Sequence, residues 1–146
     1  MGLETAIAPA LGHHPTVERE ECLSIAAVTL GDLVALDAAT AGSVSGGNVY
    51  KVRQPVTGDL IAGEFGVALE DVAAGKYGKF ARRGRVKMLM AAATALGANL
   101  SATNASDAAT ASATTQKVIA KCRVLTSAAG LTDVDFDGIN GYGNLA

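Results

Sequence analysis

Short apolar runs separated by turn residues fill residues 22–90, and where polar groups enter them the spacing is two. Residues 23–30 lead into the turn pair Gly31-Asp32, and residues 33–36 follow as a second run. A glycine-bearing loop over 42–48 precedes the strand-like residues 49–52, and residues 55–59 read as a turn. Residues 60–69 are apolar but contain Gly63 and Gly66, which in a strand mark bulges or close backbone approach. Residues 77–81 and 85–90 read as the two limbs of a hairpin turning at Arg82-Arg83-Gly84. In the second limb Arg85 and Lys87 alternate with Val86, Met88 and Met90, which puts charge on one face and apolar groups on the other. After an interruption, Lys117, Ile119, Lys121 and Arg123 alternate with Val118, Ala120, Cys122 and Val124. A turn at 128–130, a short strand over 131–136 and a glycine-rich tail complete the chain. Strands at roughly ten-residue spacing with glycine-rich turns predict an all-β barrel or sandwich.

Two segments lack this pattern. Residues 1–21 hold no period and are expected as an extended N-terminal arm, leaving 22–146 as a single β domain. Residues 91–115 are biased: 19 of these 25 are Ala, Thr or Ser. Alanine favours helix while Thr, Ser, Asn and Gly97 oppose it, so a short helix over 88–96 is allowed and a long loop or weak strand is expected beyond it. Composition limits the core. Of 146 residues, 29 are alanine and only six are aromatic, so buried groups are small and oligomerisation or a partner surface is expected to add stability.

The net charge of −2 argues against nucleic acid as partner, and no apolar stretch approaches the roughly 20 residues of a membrane span. No basic residue precedes an apolar run at the start, so no secretory signal is read. Cys22 and Cys122 are therefore expected as buried thiols, with a disulfide as the lesser alternative. Locally the charge is concentrated. Lys76, Lys79, Arg82, Arg83, Arg85 and Lys87 are half of all Lys and Arg, with no acid among them. They are candidates for contact with an acidic protein surface, where arginine pairs bidentately with carboxylate; the plain alternative is a solvated hairpin. Asp133, Asp135, Asp137 and Gly138 match the first half of a calcium loop, but Asn144 stands where the bidentate glutamate belongs. The favoured reading there is a strand with the aspartates outward and Val134 and Phe136 inward. His13, His14, Cys22 and Cys122 make a poor zinc set. No nucleophile motif, phosphate loop or dinucleotide fingerprint is present, so no catalytic residue, cofactor or small-molecule substrate is expected.

Several of these segments resemble the capsid cement, or decoration, proteins of tailed bacteriophages. The stretch opening Gly66-Val-Ala, turning at Asp71-Val-Ala-Ala-Gly75 and rising through Gly78 to Gly84 is similar to that family's core. Gly31-Asp32-Leu-Val34 looks like its Gly-Asp-x-Val element, and residues 118–126 look like its late strand. The resemblance covers residues 23–90 and 116–140, leaving out the arm and the Ala/Thr stretch. It implies a non-enzymatic virion protein with a small β-barrel or β-tulip-like body, made in the host cytoplasm. Such a protein binds the outer capsid surface as a homotrimer or homodimer and bridges neighbouring major capsid proteins. The rival expectation is a small β-barrel module for carbohydrate on a virion surface, for which Tyr50, Tyr77 and Tyr142 are the available stacking rings.

Overall fold

The computed structural model describes residues 17–37, 44–45, 49–113, 115–124 and 129–143. Ten strands and one four-residue helix follow in the order β1 (Glu18–Ser24), β2 (Leu33–Leu36), β3 (Val44–Ser45), β4 (Val49–Arg53), α1 (Asp59–Ala62), β5 (Phe65–Ala68), β6 (Tyr77–Met90), β7 (Asn99–Ser101), β8 (Thr110–Ala111), β9 (Ala120–Cys122) and β10 (Gly130–Asp137). The expected all-β barrel is present. Five strands close in the order β1-β4-β2-β5-β6, with β6 pairing back onto β1. The path then continues outward through β10, β9, β7 and β8. Closure leaves those five strands no free edge, the usual route to unwanted strand pairing.

Each layer has its own core. Inside the barrel lie Cys22, Val34, Leu36, Val52, Ala68 and Phe80, with Val28 and Val72 at one end. There Val28 and Val72 exchange two backbone hydrogen bonds of 2.9 Å. The lumen of so few strands is narrow. It holds one aromatic ring, and a Cβ at Gly78 would collide with the Val72 side chain. A second core lies between the barrel wall and the added strands, where Leu33, Phe65 and Val67 meet Met88, Leu100, Ile119, Val134 and Phe136. β2 and β5 have one face in each core, so all four residues of each are buried. That is why their sequences read as unbroken apolar runs rather than alternating ones.

Four expectations are corrected. The hairpin turning at Arg82-Arg83-Gly84 does not exist: β6 runs straight through as 14 residues. Its first half pairs with β1 and its second half with β10, so neither limb needs the other. Arg82 is buried, and Gly84 carries the strand through at φ +117°. The even positions Gly78, Phe80, Val86, Met88 and Met90 remain buried throughout. The arm boundary at residue 21 falls inside β1, because residues 18–21 are a barrel stave registered against Arg83–Lys79; residues 1–16 lie outside the described residues. Their period was hidden because the inward position 20 is a glutamate, held by Arg82. The helix allowed over 88–96 is absent, since Met88 and Met90 end β6. Residues 91–115 instead contribute β7 and β8, where buried Ser101 bonds the Ser112 hydroxyl at 2.5 Å and the Lys117 carbonyl at 2.7 Å. Finally, alternation from Lys117 holds only over β9, because residues 117–120 are all buried.

Candidate functional site

The basic run does not stay together. Lys76 and Lys79 are exposed at the start of β6. Arg82, one strand face away, points into the barrel mouth. It donates to Glu20 at 2.5 Å, to Glu64 at 2.7 Å and to the Phe65 carbonyl at 3.0 Å. Nearby Arg53 grips Asp59 at 2.6 and 3.2 Å and Asp37 at 3.4 Å. These ion pairs floor a cleft of about 500 Å³ lined by Leu36, Tyr50, Arg53, Asp59, Glu64 and Arg82.

Arg83, Arg85 and Lys87 stand outward, each opposite an aspartate of β10. The register sets Arg83 against Asp137, Arg85 against Asp135 and Lys87 against Asp133. The corresponding ion pairs measure 3.2, 3.4 and 3.0 Å. β9 and the residue just after it supply a third row, with Lys121 registered against Asp135 and Arg123 3.3 Å from that same residue. The aspartates follow the strand reading, with Val134 and Phe136 buried between them. They are spread along one face rather than gathered, and no metal-holding group of three His, Cys, Asp or Glu occurs among the described residues. His13 and His14 lie outside those residues.

Electrostatics tune this face. Burial alone would raise the Asp137 carboxyl, but amide bonds from Asn140 and Ile139 and the Arg83 guanidinium outweigh it and hold the group below its ordinary value. Arg83 rises in turn, chiefly through its bond to Asp137. Tyr142 is raised by burial and by the Asp135 and Asp137 charges; its hydroxyl donates to the Asp135 carbonyl at 3.3 Å. Lys121 Nζ lies 5.3 Å from the Tyr142 ring centre, a cation–π distance. Arg83, Gly84, Arg85, Asp135, Asp137 and Tyr142 surround a recess of about 380 Å³, floored by Phe136. Tyr142 therefore lines this recess, Tyr50 the barrel mouth and Tyr77 neither.

Both cysteines are buried and free, Cys22 inside the barrel and Cys122 in the outer core. Burial, reinforced by Glu20, pushes the Cys22 thiol up to about 12, so it is a packing group rather than a nucleophile. The sequence reading missed Glu20 and Glu64 as the partners of Arg82, and Lys121, Arg123 and Tyr142 as further members of the outward face. One signal was available: Arg83, Arg85 and Lys87 repeat the two-residue spacing of Asp137, Asp135 and Asp133 in antiparallel order.

The fold is that of a small closed barrel extended by a second β layer. No family model matches the sequence, and no curated protein matches it. Among solved structures, the chain is similar to the head fiber gp8.5 N base of bacteriophage phi29, with a TM-score of 0.59 and 12% identity over 86% of this chain and 98% of that one. At that identity the likeness is one of fold.

Proposed function

We propose that this chain is a structural virion protein of a tailed phage. It binds the outer surface of the assembled head as a homotrimer or homodimer and bridges neighbouring major capsid proteins, without catalysis, cofactor or direct contact with nucleic acid. The observation that carries this reading is the match of nearly the whole phi29 head fiber base to the barrel and its second layer. The resemblance of residues 66–86 to the cement proteins points the same way from sequence. The physical make-up suits the role. A barrel without open edges, tied across its strands by ion pairs at Arg82 and Arg83, suits a fixed block on a shell, and many weak contacts on a repeating lattice add up through multivalency.

Purified protein mixed with expanded heads that lack it is expected to co-sediment with them and to raise their rupture temperature. If it remains in the supernatant, the reading fails. A second reading, the base of a longer head appendage, is favoured by the neighbour's being itself a fiber base. That reading gives binding with an unchanged rupture temperature.

A further inference from the structure

The outward face of β6, β10 and β9 has a hydrogen-bonding imbalance. The central strand contributes three acids, Asp133, Asp135 and Asp137, and its neighbours contribute five bases, Arg83, Arg85, Lys87, Lys121 and Arg123. The acids are already engaged. Asp137 Oδ1 accepts from Arg83 and from the amides of Ile139 and Asn140. Asp135 takes Arg85 on Oδ1 and Arg123 on Oδ2. Asp133 takes Lys87. The bases are not used up. Arg85 and Arg123 each engage Asp135 through Nε, which leaves their outer guanidinium nitrogens without a further bond among the described residues. Lys121 meets the Tyr142 ring and makes no ion pair among the described residues. Glu18 adds a fourth acid beside Arg83, so the surplus sits at Arg85, Lys121 and Arg123.

We propose that this face docks an acidic segment of a partner protein, its carboxylates taken by Arg85, Arg123 and Lys121; on the capsid reading, which this rests on, the partner is the major capsid protein. The partner must bring acceptors, because the unused groups here are donors. A guanidinium offers two parallel N–H groups that match a carboxylate. Half-exposed Arg85 and Arg123 present that edge without further desolvation of a buried charge. The recess beside them, about 380 Å³ and lined by Gly84, Arg85 and Tyr142, has room for a side chain of the partner. A nucleic-acid partner fits less well: a duplex carries a fixed, continuous line of phosphates, part of which must lie against the aspartates at every second position of β10, whereas carboxylates on flexible side chains can be set on the free cations alone.

The test compares the full chain with Arg85→Glu/Lys121→Glu and with Lys76→Glu/Lys79→Glu, the same charge change at the other end of β6, where it pairs with β1 and not with β10. Thermal melts establish that all three are folded; surface pairs of this kind contribute little to stability. Each protein is titrated with a hexaglutamate peptide and, separately, with a DNA duplex, following amide shifts, and each is mixed with empty heads. The peptide is expected to shift Gly84, Lys121 and Tyr142 in the full chain. Binding should be at least roughly tenfold weaker in the first variant, which reverses two of the three cations, and unchanged in the second. Heads should lose the first variant and keep the second. The proposal is overturned if the peptide shifts other residues or none, if DNA binds this face more tightly, or if the first variant decorates heads as well as the full chain. Peptide binding at this face without any head binding by the full chain supports the surface and removes the capsid reading.

Discussion

Arg82 donates to two carboxylates and a backbone carbonyl from an almost wholly buried position, so its loss strands Glu20 and the Phe65 oxygen at the barrel mouth. Replacing it by alanine is expected to cost about 3 kcal/mol in chemical denaturation, and lysine should restore little, since one ammonium cannot span three acceptors set as a fork. Asp137 gives a pH-dependent test. Its folded value lies below the ordinary 3.8, so its contribution is present above that value and lost as pH falls through the folded one. Asp137→Asn should therefore be less stable than the parent at neutral pH, with the gap closing in melts below the carboxylate range. Gly78→Ala should cost about 1–3 kcal/mol, because the new methyl overlaps the buried Val72 side chain at the end of the barrel. The outward aspartates and inward Val134 and Phe136 were legible from spacing alone. Arg82 was not: within a run of like charges, nothing in the sequence marks which cation has its counter-ions on distant strands.

β1 and β6 are the elements on which barrel closure depends. β1 pairs with β4 on one side and β6 on the other. A chain beginning at Val17 is expected to keep dispersed amide spectra. A chain beginning at Cys22 loses the stave residues registered against Arg83–Lys79 and should give a collapsed or insoluble product. Well-dispersed spectra from the shorter chain would show that β1 is dispensable. Strands β2 and β4 were readable because apolar runs and turn residues coincide there. β6 was misread because Arg-Arg-Gly is good turn chemistry. What overrode it was tertiary pairing: both halves find better partners in β1 and β10 than in each other. The Ala/Thr stretch was misleading in another way, since its small residues serve close packing, with Ala102 and Ala109 buried beside Leu100.

At the scale of the molecule, alanine richness does not mean a single thin core. Two cores share β2, β5 and β6, and small side chains let the two β layers approach across them. The all-β class was legible from strand spacing, which left barrel and sandwich open; closure and the second layer were not legible, because both depend on long-range pairings that leave no local trace. The role proposed for this chain is one of attachment, so its test is where the protein sits. The most direct measurement is an electron cryo-microscopy reconstruction of heads saturated with the protein. Barrel-sized density on the outer surface, spanning the seam between adjacent capsid subunits with the β6–β10–β9 face turned toward the shell, is expected. A bare outer surface, or density confined to the interior, would contradict the account.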